Sequence, residues 1–146
     1  LKYYPKFTFI IIFLILITKG FMMYKIALPI LGFENFSKVD VEKLDEFVAF
    51  LKFEDGSKIS IININVLNKV SFDFQIDDKT LEALKIKSKD DFSTYFILVS
   101  QEPVEHSIIN LVAPIFINEK EKLVGQYVTS EKVDPYLASL NKCVNL

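Results

Sequence analysis

The sequence predicts a mainly β domain of the α+β kind: a small antiparallel, barrel-like sheet with about two short helices. Three observations predict it. Val70–Ile76 (VSFDFQI) alternates apolar and polar residues at every step, the pattern of a strand with one wet face. Asp55-Gly56 sits between two runs rich in aromatic and β-branched residues, which is a hairpin signal. The links between strand-like runs are short, which favours antiparallel neighbours over crossovers.

The elements follow in chain order. Tyr24–Leu28 is a short apolar run stopped by Pro29, and Gly32 supports a turn soon after. Asp45–Phe53 reads as a strand, and Lys58–Val66 answers it across the Asp55-Gly56 turn. Val70–Ile76 is the next strand. The period then changes: Leu81 and Leu84 are three apart, and Asp77 or Asp78 can cap a helix over Asp77–Leu84. Ser88-Lys89-Asp90-Asp91 has the capping-box spacing of a second, shorter helical turn. Tyr95–Val99 is a continuous apolar run of central-strand type, broken by Glu102-Pro103. Ile108–Val112 and Ile115–Ile117 read as two strands around Pro114, which needs an edge or a bulge because it has no N–H to donate. Glu119–Lys122 is a charged turn, Leu123–Thr129 the last strand, and Tyr136–Leu140 a short helix.

Residues 1–22 are a different kind of sequence. Phe7–Thr18 is uncharged and almost wholly apolar, with Lys6 and Lys19 at its flanks. As a helix it would span about 18 Å, short of the roughly 20 residues a bilayer core needs. It can be read as a signal or anchor, as a structured element, or as an extension upstream of a start at Met22 or Met23. The last is the expectation, because the composition changes there. The chain then divides into the extension 1–22, a β-rich domain 23–136 and a tail 137–146.

Composition removes several classes of function. At 146 residues, with 51% hydrophobic and 25% charged residues, the chain can build one packed core. Its glycines form neither G-x-G-x-x-G nor G-x-x-x-x-G-K, so the common phosphate-cradling loops are absent. One cysteine (Cys143) excludes an internal disulfide framework and a thiolate zinc site, and one histidine (His106) excludes any site needing two imidazoles. All 17 basic residues are lysines, which argues against direct nucleic-acid readout, since arginine is the bidentate reader of phosphate and guanine. Beyond residue 22, 14 lysines face 19 acids, a net charge of −5 that favours a basic partner.

Constellations that could carry chemistry are thin. His106 and Ser107 are sequence neighbours, so on an extended chain they point to opposite faces. Asp77-Asp78 and Asp90-Asp91 are interleaved with lysines and read as a solvated face with ordinary ion pairs. Phe72 and Phe74 share one face of a strand and read as core. Asn63, Asn65, Asn110 and Asn118 lie in or beside strands, where asparagine serves backbone groups at bends or bulges. No enzyme chemistry, cofactor or small-molecule substrate has support; what remains is an acidic β-rich module that binds other proteins.

Two stretches are recognisable. Pro29-Ile30-Leu31-Gly32-Phe33-Glu34 resembles the P-x-x-G-F-E motif of the bacterial flagellar assembly factor FliW family. Asn110-Leu111-Val112-Ala113-Pro114-Ile115-Phe116-Ile117-Asn118 is similar to its N-[LF]-x-A-P-[IV]-x-x-N block. Gly125-Gln126-Tyr127-Val128 falls where the family has a Gln-Val-containing last strand, and the likeness covers roughly residues 24–136. Asn63-Ile64 departs from the family's Asn-Pro or Asp-Pro, and Asp134-Pro135-Tyr136 matches only loosely. The resemblance implies a cytoplasmic, non-enzymatic protein that binds flagellin and antagonises the RNA-binding repressor CsrA, relieving repression of flagellin synthesis. It points to Phe33, Glu34, Asn110, Pro114, Asn118 and Gln126 as partner-binding positions. Gly32, Phe33, Ala113 and Pro114 also fit a second role: the turn, core ring and bulge that the fold requires. The competing function is a membrane- or envelope-tethered β module anchored by residues 7–18.

Overall fold

The computed structural model describes residues 23–63 and 75–128, and the backbone of 137–139. Its strands are β1 (Met23–Leu28), β2 (Lys38–Lys43), β3 (Val48–Lys52), β4 (Lys58–Asn63), β5 (Ser93–Val99), β6 (Ile108–Asn118), β7 (Leu123–Gln126) and β8 (Leu137–Ser139). The order β5-β4-β3-β2-β1-β7-β6 closes on itself through a β5–β6 pairing, so the first seven strands form a barrel. Closure matters because it removes most of the open sheet edge that would otherwise recruit other chains, leaving one along the start of β6. The β1–β7 pair is parallel and the remaining pairs are antiparallel. β8 adds to the outer part of β6, opposite Ile108–Asn110.

Strand alternation builds two apolar layers. Inward positions supply the barrel core, including Tyr24, Val39, Leu51, Ile61, Tyr95, Ile115 and Val124. Each fully buried aliphatic side chain contributes about 1.5–3 kcal/mol. On the outer wall, Phe116, Leu123 and Tyr127 pack with Leu84 and Ile86 from the helical segment. Helix α1 (Asp78–Ala83) covers that wall. It starts where Asp77 accepts a hydrogen bond from the Thr80 N–H at 2.8 Å. A 3-10 turn at Lys89–Asp91 follows, with the capping box between Ser88 and Asp91 in place. A second 3-10 turn, Val104–His106, follows the cis Glu102–Pro103 peptide.

Several expectations are corrected. The strand expected over Asp45–Phe53 starts at Val48, because the Asp45 carboxylate accepts from the Phe47 and Val48 N–H groups and turns the chain first. β2 was not among the expected elements, although its Val39 and Val41 alternate with charged residues. Ile108–Val112 and Ile115–Ile117 are one strand, not two: between Tyr95↔Ile115 and Ile97↔Asn110, two residues of β5 span five of β6, and Pro114 sits in that bulge. The last-strand expectation ends at Gln126 rather than Thr129, and the tail expected as a short helix over Tyr136–Leu140 holds strand β8 at 137–139. Both regular helices of the expectation are present in shortened form: one α-helix and one 3-10 turn. The strand expected over Val70–Ile76, with Phe72 and Phe74, lies outside the described residues except for Gln75 and Ile76, which are irregular. Residues 1–22 and Asn65 also lie outside them.

β1 and β7 approach closely at Gly125. A Cβ there would sit 2.8 Å from Leu28 Cβ and 3.2 Å from the Leu28 backbone nitrogen. Gly125→Ala is expected to destabilise the domain by about 1–3 kcal/mol through overpacking. Urea unfolding checks this, and an unchanged midpoint would mean that β1 shifts freely against β7.

Candidate functional site

The PILGFE segment builds a rigid turn from purely local rules. Pro29 ends β1, and Ile30 is fully buried. The Phe33 N–H donates to the Ile30 carbonyl at 2.9 Å, and Gly32 takes φ +85°, a conformation that a Cβ would oppose. Phe33 then turns inward. Its ring stacks on Phe53 with centroids 4.2 Å apart, and Phe36 packs on the same ring at 5.1 Å. Glu34 stays exposed and accepts from the Gly32 N–H at 3.0 Å. That hydrogen bond, with one from its own N–H, holds the Glu34 carboxyl below its ordinary value of 4.5 against a small opposing desolvation. Leu31, at the crest, is 55% exposed.

The second block is tied to this turn by one side chain. Gln126 is 4% exposed; its Oε1 accepts from the Leu31 N–H at 2.8 Å and its Nε2 donates to the Ala113 carbonyl at 3.1 Å. The next carbonyl of the bulge, Pro114, accepts from the Tyr127 N–H at 2.9 Å. Asn110 opens the bulge, where its Oδ1 accepts from the Val112 N–H at 3.0 Å. Asn118 closes β6 and is also buried. Its Nδ2 donates to the Leu84 carbonyl at 2.8 Å, and its Oδ1 accepts from the Glu121 N–H at 3.2 Å. It thereby joins the end of α1 to the β6–β7 turn.

The six sequence-predicted positions therefore separate physically. Pro114, Asn118 and Gln126 are buried and fully engaged inside the domain, so they support a surface without forming it. Phe33 and Asn110 are half-buried, and Glu34 is exposed. The structure brings Leu31 beside the end of β7, two residues before the 56% exposed Val128, and Glu34 lies on the same turn as Leu31. Leu31 and Val128 were missed by sequence reasoning. The available signal was an apolar residue between Pro29 and Gly32, inside a turn with no need for one. His106 is exposed, whereas Ser107 is buried and accepts from the Gln101 N–H at 3.0 Å, so the two do not converge. Among the described residues no three His, Cys, Asp or Glu side chains group as metal ligands, and no helix is long and apolar enough to cross a membrane.

Fold and surface together define a closed β-barrel module whose matched residues build a braced turn. The chain belongs to the FliW family: the family described as "FliW protein" matches residues 18–138. Relatives named flagellar assembly factor FliW include one from Sulfurimonas denitrificans, 35% identical over 112 residues, covering 75% of this chain and 87% of the relative. Another, from Campylobacter lari, is 30% identical over 120 residues, covering 81% of this chain and 92% of the relative. A crystal structure of the flagellar assembly factor FliW superposes with a TM-score of 0.71 at 24% identity, over 82% of this chain and 85% of that one, which is a likeness of fold.

Two outcomes follow from this geometry. Gln126→Ala leaves the Leu31 N–H and the Ala113 carbonyl without partners and is expected to cost about 1–3 kcal/mol in urea unfolding. A loss within error of zero would show that water replaces the amide. Glu34 contributes stability that is present above pH 4.5 and is lost as pH falls through its lower folded value. Glu34→Gln is expected to flatten that part of the acid-unfolding curve; an unaltered curve would remove the Gly32 contact from the account.

Proposed function

We propose that this protein is a cytoplasmic, non-enzymatic flagellar assembly factor that works by binding other proteins. The observation that carries the reading is family membership together with the braced turn. Relatives that span most of this chain are named flagellar assembly factors. The PILGFE motif presents Leu31 and Glu34 outward while Phe33 and Gln126 hold the turn from within.

The partners in this reading are flagellin and the CsrA-type repressor that the sequence resemblance implies. Physical chemistry supports the second on one point. The net charge of −5 beyond residue 22 suits a basic, RNA-binding partner, and such complementarity raises the association rate more than the final affinity. It also lets a protein without arginine regulate RNA indirectly. Phe33 and Asn110 contribute through their accessible edges, and Pro114, Asn118 and Gln126 act by holding the surface in shape.

The test is binding of the full chain to purified flagellin and to purified CsrA-type repressor. Glu34→Lys is expected to slow association with the basic partner by about tenfold at low salt, with little effect at high salt. Leu31→Asp is expected to speed dissociation of a protein seated on the turn, also by about tenfold. Leu31→Asp should keep the wild-type melting curve near neutral pH, and Glu34→Lys should remain folded, losing only the contribution of the exposed Gly32 contact. Failure of the wild-type chain to bind either protein would overturn the reading. Binding that ignores both substitutions would move the interface elsewhere.

A further inference from the structure

The outer wall of the barrel carries a feature that the braced turn does not use. Where α1 stops covering the sheet, a groove of 780 Å³ remains between the helix end and strands β1 and β2. Lys25, Lys38, Lys85 and Lys122 line it, against a single acid, Glu121. This is a local excess of positive charge on a domain whose overall balance is negative. The floor is partly apolar, with Met23, Ala27 and Leu123.

The lysines are not equivalent. Lys85 pairs with Glu121 at 3.6 Å, and the Lys122 ammonium lies 3.3 Å from the Tyr24 hydroxyl. Lys25 and Lys38 are exposed and stand directly opposite each other across β1 and β2. Among the described residues no carboxylate lies within ion-pair distance of either. Like charges in direct cross-strand register repel and destabilise the pair they join. Elsewhere on β2 opposite charges meet: Glu42 pairs with Lys52 of β3, and Lys43 with Glu119 of the β6–β7 turn. The register at Lys25–Lys38 thus leaves two cations side by side over an apolar floor, a geometry that two carboxylates from outside would neutralise.

We propose that this groove is a docking site for an acidic peptide segment of a partner protein, one that carries carboxylates on either side of an apolar residue. The apolar residue rests on Met23, Ala27 and Leu123, and its flanking carboxylates reach Lys25 and Lys38. Lys85 and Lys122 close the rim. The groove shares no lining residue with the Leu31–Glu34 turn, whose exposed charge is the Glu34 carboxylate, so the two can be occupied by different segments.

The experiment measures fluorescence anisotropy of a labelled peptide of alternating glutamate and leucine, titrated with the full-length protein at low salt. A lysine–leucine peptide serves as the charge-inverted probe. The expected result is saturable binding of the acidic probe that weakens with salt, and at least about tenfold loss in the double variant Lys25→Glu, Lys38→Glu. That variant exchanges one like-charge pair for another, so its melting temperature should stay near wild type. Lys58→Glu, Lys89→Glu makes the same change in net charge at residues that do not line the groove and should bind normally. No binding by the wild type, or equal losses in the two double variants, would overturn the proposal. So would equally tight binding of inorganic polyphosphate that is lost in the groove variant, because the site would then recognise phosphate rather than a peptide.

Discussion

A single buried amide ties the two recognisable motif blocks of this domain to each other. Gln126 reaches from β7 to the Leu31 N–H on one side and to the Ala113 carbonyl on the other. Both are backbone groups that regular pairing leaves over: one lies in a turn after a proline, the other in a bulge built around a proline. A buried backbone group without a partner is costly, so a side chain with one donor and one acceptor is the economical answer. Phe33 can stack on Phe53, and Leu31 can stand exposed, because the turn between them is fastened at this point.

Asn118 does the same work at the other end of β6. It satisfies the Leu84 carbonyl at the end of α1 and receives the Glu121 N–H from the next turn. The helix is only six residues long, too short to persist by its own propensity. It stays because Leu84 and Ile86 bury against Phe116, Leu123 and Tyr127, and because Asn118 fixes its exit. Where that coverage ends, the outer wall of β1 and β2 is left to solvent, and the lysine-lined groove begins. The lysine-lined groove is thus a consequence of how far the helix reaches.

Local chemistry made much of the fold legible. Pro29 ends β1, the Asp55-Gly56 hairpin joins β3 to β4, Asp77 caps α1, and Ser88 and Asp91 form their box, each through contacts a few residues apart. Legibility failed where the deciding partner was far away. The run through Pro114 looked like two strands because a bulge can be recognised only once β5 is known to skip past it. Residues 137–139 suited a helix until β6 offered an edge. β2 alternates visibly, but its charged outward residues hid it beside stronger apolar runs.

The candidate surface divides in the same way. From the sequence alone came the mainly β class, the negative balance and the two motif blocks. These depend on composition and on spacing along the chain, which folding does not alter. Only the tertiary structure decided which motif residues face outward. Glu34, Phe33 and Gln126 are equally polar or apolar wherever they stand, but burial depends on what packs over them. The tertiary fold buried Gln126, Asn118 and Pro114, left Leu31 and Glu34 exposed, and set Lys25 against Lys38. Those placements arise from pairings between residues far apart in the chain, and no local pattern encodes them.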